Sequence, residues 1–300
     1  MTEAVKAGIV TEVEEATEWL APAHFVEKPG QPGRLRLVTD FRRLSSQVTK
    51  DVLRYPTGDD VWKSVNSKSK VFFKLDATSS YHQVKLSDNA KSYMNFLLPF
   101  GKFRYEVGAM GYINSGTEWN RRTDKILLGA PCIKQVDDIM GQGCDYRQLA
   151  ANLKETLVKC RLGNITLSRK KVEIGEKIHY SGYIVSSEGC FPDPQKVAVL
   201  KEFAQPEDQH ELRVFLGLTQ QMSSFMPDLS HATKRLRGLL QKDAAWLWLP
   251  EHQEDFLAVK AMMSDTSHLV PFCGTRKTCV ITDASDAGTL FVLFLITMYL

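Results

Sequence analysis

Three hundred residues, 43% hydrophobic, 24% charged and 10% aromatic, describe an ordinary globular chain of about two domains and exclude a disordered, low-complexity or repeat protein. A net charge of +3, from 38 basic and 35 acidic side chains, is too small to identify a nucleic-acid partner, so that question passes to where the charges lie. Six cysteines (Cys132, Cys144, Cys160, Cys190, Cys273, Cys279) without a C-x-x-C, seven histidines without H-x-x-x-H or H-E-x-x-H spacing, and an N-terminus MTEAVKAGIV without a basic start or a long apolar core argue against a zinc site and secretion, and for a reducing intracellular compartment.

In chain order, TEAVKAGIV predicts the end of a short helix, and EVEEATEWLAPAHFVEK an acidic patch followed by an apolar strand. GQPG reads as a turn, after which Leu35, Leu37 and Thr39 alternate with Arg36, Val38 and Asp40 as in a half-buried strand, giving a hairpin. Residues 34–50 carry five basic side chains, Arg34, Arg36, Arg42, Arg43 and Lys50, against one acid, Asp40. Such a run is either a solvated face or a phosphate-gripping hairpin. VFFKL predicts a strand ending at Asp76, ATSSY a turn or short helix, and YMNFLLPFGKFRYEVGAM two strands joined at Gly101. NSGTEWNRRTDKILL predicts a helix with Asn114 or Ser115 near its cap, which GAPC breaks. IKQV and IMGQG form a second hairpin around Asp137 and Asp138, and an amphipathic helix near 145–160 precedes the basic segment SRKKVEIGEK. The order β-β-α-β-β-α-β fits a helix-backed antiparallel sheet of the α+β class better than a doubly wound parallel sheet.

Beyond HYSGYIVSSEG, DPQKVAVLKEF, DQHELRVFLGLTQQMSSF, SHATKRLRGLLQ and EHQEDFLAVKAMM each predict a helix with Asp, Ser or Glu near its start. A second, mostly helical part therefore begins near residue 190. TCVITDASDAG returns to strand. The 12-residue run TLFVLFLITMYL falls short of the ~20 residues a membrane-spanning helix needs, which leaves a β-strand or a truncated end.

CIKQVDDIMG sets two aspartates side by side at a hairpin tip. Aspartate is a common turn residue, so the pair gains a chemical meaning only with a third carboxylate beside it. Asp76 would supply one if its strand neighbours the hairpin. Three ionised carboxylates in one place disfavour one another unless hard cations hold them. Mg²⁺ typically takes one or two protein carboxylates plus substrate phosphates, and two such ions about 3.5 to 4 Å apart clamp both oxygens of an in-line phosphoryl displacement. Nucleotidyl transfer or phosphodiester hydrolysis is the chemistry of such a cluster, and spacing along the chain leaves the position of Asp76 open.

The ordered run LRLVTDFRRLS, FFKLDATSSYHQVKL, MGYINSGTEWNRR, QVDDIM, LSRKK and HYSGYIVSSEG resembles the motifs of reverse transcriptases, most closely those of gypsy-type long-terminal-repeat retrotransposons. FLGL at 215–218 and TDASDAG at 282–288 extend it. The resemblance implies a right-hand polymerase, with fingers and palm over 1–188, thumb and connection over 189–270, and the start of an RNase H-like domain over 271–300. It implies an RNA-directed DNA polymerase that extends a primer on an RNA or DNA template with dNTPs and two Mg²⁺ ions, Mn²⁺ being the substitute. By the same resemblance Asp76, Asp137 and Asp138 match the metal-binding carboxylates, Asp76 and Asp137 foremost. Tyr81 matches the aromatic gate under the incoming sugar, where a ring collides with a ribose 2′-hydroxyl; a strand-end tyrosine packed in the core is the plainer reading. Arg36, with Lys28 as neighbour, matches the group that meets the triphosphate, a task suited to the planar guanidinium fork. Met110 and Gly111 match the pair that opens the helix beneath the nascent base pair. Lys170 or Lys171 matches the basic residue facing the leaving pyrophosphate, against the plainer reading of a solvated loop lysine. Gly182 matches the hairpin that grips the primer 3′ end. Arg42 and Arg43, and Lys234, Arg235, Arg237 and Lys242 of KRLRGLLQK, are expected along a nucleic-acid backbone or on a solvated face.

The sequence departs from the pattern at Gln135, where the family has tyrosine, and over Ala109, Met110, Gly111 and Tyr112, where it has P-F-G-L. These changes bear on rate and fidelity. PFG at 99–101 mimics the missing motif one strand early. Asp283 matches the first metal-binding aspartate of an RNase H domain, yet 17 residues follow it where such a domain needs on the order of 100, so no nuclease activity is expected. The competing reading is a catalytically silent relic that at most binds nucleic acid. Oligomeric state is left open, no membrane association is expected, and a cytoplasmic location with nuclear access follows by exclusion.

Overall fold

The computed structural model describes residues 1–28, 30–56, 58–226 and 228–262, and the backbone of 278–285 and 288–295; of Lys28, Gln31, Gly58, Asp59 and Trp62 only the backbone is described. The strands are β1 (Val10–Glu12), β2 (Ala21–Lys28), β3 (Gln31–Thr39), β4 (Val71–Asp76), β5 (Asn95–Leu98), β6 (Gly101–Tyr105), β7 (Cys132–Gln135), β8 (Asp138–Gly143), β9 (Glu173–Gly175), β10 (Lys177–Tyr180), β11 (Tyr183–Ser186), β12 (Gly189–Pro192), β13 (Thr278–Ser285) and β14 (Gly288–Leu295). The helices are α1 (Thr2–Lys6), α2 (Arg42–Ser45), α3 (Gly58–Lys63), α4 (Asp88–Lys91), α5 (Ser115–Leu127), α6 (Tyr146–Leu162), α7 (Pro194–Glu202), α8 (Gln209–Gln220), α9 (Leu229–Ala232), α10 (Lys234–Gly238) and α11 (Pro250–Met262). Two compact units result, one from residues 1–56, 75–139 and 151–172, the other from 57–74, 140–150 and 173–300.

The first unit holds a five-stranded sheet ordered β1-β6-β5-β2-β3. Alternation in β5 and β6 turns Phe96, Leu98, Phe103 and Tyr105 into a core with Val10, Phe41, Leu44, Met94 and Ala109, while Leu97 faces out. The one polar tip in this core is satisfied, since the Tyr105 hydroxyl lies 3.2 Å from Thr39 Oγ1. The hairpin of β2 and β3 forms as its alternation predicts, but GQPG is not simply its turn. Lys28 pairs with Gln31, whereas Glu27 pairs with Leu35, so Pro32, Gly33 and Arg34 bulge out of the ladder. Gly33, at φ +76°, supplies the left-handed backbone this requires.

A four-stranded sheet, ordered β7-β8-β4-β9, carries the aspartates. Val71, Phe72, Phe73 and Leu75 are all buried, the near-continuous apolar run of a strand covered on both faces. Gly141 of β8 lies against the ring of Phe73, which occupies the space a Cβ would need. In the second unit β10, β11 and β12 form an antiparallel meander. Helices follow, with Asp193 and Asp208 capping α7 and α8 through the amides of Gln195 and Glu211. SHATKRLRGLLQ is two short helices rather than one. Thr233, fully buried, donates its hydroxyl to the Leu229 carbonyl at 2.7 Å, a back-bond that bends the chain between α9 and α10. The apolar tail is a strand: β14 pairs with β13 from Ser285↔Gly288 to Thr278↔Leu295. The side chain of Asp283 and all of Cys273 lie outside the described residues. Among the described residues no helix is long and apolar enough to cross a membrane.

Candidate active site

The site is built around the turn between β7 and β8. Val136 sits there at φ +54°, a conformation that costs a β-branched residue about 1–2 kcal/mol. Two bonds hold the turn. Trp119, buried on α5, donates its indole N–H to the Val136 carbonyl at 3.0 Å, and the Ala77 amide donates to the Asp137 carbonyl at 2.9 Å. The second bond brings Asp137 beside the end of β4, where Asp76 lies.

Burial pushes the Asp137 carboxyl above the ordinary carboxylate range; a bond from the Ser80 hydroxyl opposes this, and the charge of Asp76 adds to it. Asp137 Oδ1 is buried without a hydrogen-bond partner among the described residues. Asp76 Oδ2 instead accepts from Lys171 Nζ at 2.8 Å, and its side chain is 14% exposed. Lys134, buried on β7, pairs with Asp124 of α5 at 3.1 Å and also donates to the Asn120 side chain. It is one of two lysines whose charge offsets the rise at Asp137, Lys171 being the other.

The expected convergence of three carboxylates is replaced by a pair. Among the described residues no group of three His, Cys, Asp or Glu side chains is placed to hold one metal ion. Asp138 is the first residue of β8, directly after the turn that carries Asp137. Two carboxylates, one with an unpartnered buried oxygen, still suit a hard cation that takes its remaining oxygens from phosphate and water.

Tyr81 lies in a 3₁₀ turn, Ser80–Gln83, entered through Ser79 at φ +47°. It is half-buried; burial first, then the Asp137 charge, pushes its phenol above the ordinary range. Gly108 passes so close that a Cβ there would come within 2.6 Å of the Tyr81 carbonyl. His82 Nδ1 meets the Gly108 carbonyl at 3.1 Å, and its ring stacks on Tyr105. At the start of α5, Gly116 lies beside two phenols, since a Cβ there would be in ordinary contact, 3.5 Å, with the hydroxyls of both Tyr55 and Tyr81. Tyr55 is anchored by Thr117 Oγ1 at 3.1 Å. Asn114 occupies the cap position but turns its amide to the preceding segment, accepting from the Asp51 amide and donating to the Thr49 carbonyl. Met110 and Gly111 stand at this end of α5: Met110 is 38% exposed, and Gly111 takes φ +89°, with the Thr39 carbonyl 3.0 Å from where a Cβ would lie.

The basic residues separate into groups. Lys171 joins the carboxylates, while Lys170 is exposed beside it. Arg36 is exposed on β3 opposite Val26, and the side chain of Lys28 lies outside the described residues. Arg42 grips Asp40 through bonds of 2.6, 2.9 and 3.1 Å, which hold the Asp40 carboxyl down at about 2. Arg43 lies 5.9 Å over the Trp19 ring. In the second unit Gly182, at φ +83°, follows Ser181 at +52° in the two-residue turn of the β10–β11 hairpin. There too Arg235 is bound by Asp255 at 2.6 and 2.9 Å, and Arg237 by Gln220 at 2.9 Å, whereas Lys234 and Lys242 are exposed. The structure thus joins Asp76, Asp137, Tyr81 and Lys171, and adds Ser80, Trp119, Lys134 and Tyr55. Of these additions only Lys134, a lone charge in an apolar strand, carried a signal that sequence could have used.

Residues 26–185 match the family described as Reverse transcriptase (RNA-dependent DNA polymerase). The Transposon Tf2-3 polyprotein of Schizosaccharomyces pombe is 27% identical over 297 residues, 98% of this chain and 22% of the polyprotein, and the Tf2-7 polyprotein of the same organism is 26% identical over the same shares. The chain spans about a fifth of the length of these curated relatives. Among solved structures, the foamy viral protease-reverse transcriptase dRH in complex with ds DNA aligns with a TM-score of 0.83 at 16% identity, over 98% of this chain and 54% of that one. The foamy viral protease-reverse transcriptase in complex with RNA/DNA hybrid aligns with a TM-score of 0.79, also at 16% identity, over 99% of this chain and 42% of that one. At this identity the likeness speaks to fold alone.

Proposed function

This chain belongs to the reverse transcriptase family, and from that premise we propose that it is an RNA-directed DNA polymerase core whose first unit carries the nucleotidyl-transfer site. The reaction is attack of a primer 3′-hydroxyl on the α-phosphate of a deoxynucleoside triphosphate, with RNA or DNA as template. The observation that carries this reading is the placement of Asp137 against the end of β4 beside Asp76, with Asp137 Oδ1 buried and unpartnered. Reverse transcriptases use a divalent metal, and Mg²⁺ is the ion proposed here: held by Asp76 and Asp137, it would neutralise phosphate charge and align the displacement.

The chain's own residues supply the rest. Trp119 holds the turn that carries Asp137 from α5, and Lys134 on β7 adds a nearby positive charge. Tyr81 is the steric gate, its backbone closely approached by Gly108 and its phenol lying beside Gly116 at the start of α5, so that a ribose 2′-hydroxyl meets an aromatic wall. Lys171, 2.8 Å from Asp76, places its amine where charge develops on the leaving pyrophosphate. Arg36, exposed on β3, is the candidate for the triphosphate. The complexes formed by the foamy viral proteins, with ds DNA and with RNA/DNA hybrid, support a duplex as partner here.

Primer extension on an RNA template with dNTPs and Mg²⁺ tests the proposal. Extension should fall by about 10³-fold or more in Asp137→Asn, as expected when several kcal/mol of charge stabilisation are lost. A folded wild-type chain that binds duplex and extends nothing would leave the silent-binder reading instead.

A further inference from the structure

Lys171 reaches Asp76 from a segment that has little secondary structure of its own. After α6 the chain turns at Asn164, φ +54°, buries Ile165, forms a single bridge between Leu167 and Ala77, and enters the short 3₁₀ turn Arg169–Lys171. Two main-chain bonds tie it to the exit of β4: Ser168 N to Asp76 O at 2.8 Å and Thr78 N to Thr166 O at 3.0 Å. Thr166 is exposed, so water competes for these bonds.

One amide covers the same stretch. Gln83 Nε2 donates to the Thr78 carbonyl at 2.6 Å and to the Thr166 carbonyl at 3.0 Å, while Gln83 Oε1 accepts from the Thr166 amide at 2.8 Å. Both N–H groups meet carbonyls and the oxygen meets an N–H, so the network fixes which way round the amide sits. Arg122 of α5 adds a second tie, donating Nη1 to the Gln83 carbonyl at 2.5 Å and Nη2 to the Gly163 carbonyl at 3.1 Å. The turn that carries Tyr81, the end of α6 and the exit of β4 are thus joined through two side chains.

We propose that Gln83 and Arg122 are positioning residues, a clamp that sets where segment 164–171 places Lys171 against Asp76. The inference rests on the polymerase reading for its catalytic meaning and on geometry alone for the clamp. An amide and a guanidinium suit this work because they offer several directed hydrogen bonds at once.

Amide hydrogen exchange on the whole chain tests the clamp without reference to activity. In Gln83→Met the Thr166 and Ser168 amides should exchange about 10-fold faster or more, while those of β5 and β6 stay unchanged. Arg122→Met serves as the second variant, with the same two amides loosened. Unchanged protection at Ser168 in both folded variants overturns the clamp. Kinetics then test its purpose: Gln83→Met and Lys171→Ala should each lower kcat/KM for the nucleotide, and the double variant should be no worse than Lys171→Ala alone. Losses that simply multiply would mean that Gln83 is structural and does not act through Lys171. A folded wild-type chain without extension overturns the polymerase reading, and the exchange at Ser168 still decides the clamp.

Discussion

Val136 shows at the scale of one residue how the site is paid for locally. Its left-handed backbone is unfavourable for a β-branched side chain, and it persists because Trp119 and Ala77 bind the carbonyls of Val136 and Asp137 in the turn. Val136→Asn, which tolerates that conformation, should raise stability to denaturant by about 1 kcal/mol. Trp119→Phe should act in the opposite direction, costing about 1–3 kcal/mol, because the Val136 carbonyl loses its donor. His82 gives the pH dependence a sign. Burial pushes its imidazole below the ordinary value, against the smaller effect of its bond to the Gly108 carbonyl. The folded chain therefore resists a proton that the unfolded chain accepts, so this part of the stability is held above about pH 6.5 and lost as pH falls through the depressed value. Urea titrations across that window should show a shallower acid decline in His82→Asn than in wild type; parallel curves would mean that His82 does not control it.

Elements impose their own constraints on substitution. Gly141 and Phe73 meet face to face, so Gly141→Ala should cost about 1–3 kcal/mol by overpacking, readable as a lower midpoint in denaturant. Gly182 differs: the atom a Cβ would meet is the far end of Lys196, which can move, so the cost of Gly182→Ala is the backbone strain at φ +83°, about 1 kcal/mol. The basic run of α10 is not one uniform face. Arg235 is held by Asp255, whose side chain is 12% exposed, so Arg235→Ala should lower the melting temperature. Lys234→Ala and Lys242→Ala should leave it unchanged and, if these exposed lysines touch phosphate, each should reduce the slope of log K against log salt by about 1 in a duplex-binding titration.

For the whole molecule, chain connectivity matters more than any one contact. The boundaries between units fall at 56/57, 74/75, 139/140, 150/151 and 172/173, so neither unit is a continuous stretch of sequence. A fragment of residues 1–172 contains two segments that belong to the second unit and lacks the rest of it. It should give weak amide-exchange protection and no cooperative thermal transition, unlike the full chain. Several local elements were legible in advance because the forces that shape them are local. VFFKL is apolar without interruption, NSGTEW begins with cap-forming residues, and the aspartate pair sits between two short apolar runs, features that are visible within a window of ten residues. The ordered motifs placed Asp76, Tyr81 and Asp137 in one site by resemblance, and the fold bears out the architecture from which that placement came.

The sequence by itself therefore determined most strands and the longer helices, the α+β class and the family, since alternation, caps and motif order are properties of neighbouring residues. Only the tertiary structure decided that Lys171 rather than Lys170 meets a carboxylate 95 residues away, that Arg42 is taken up by Asp40, and that Gln83 and Arg122 hold the segment between. Those outcomes depend on which strands become neighbours and on the last few ångströms of side-chain reach, and hydrogen bonds are lost over less than that distance.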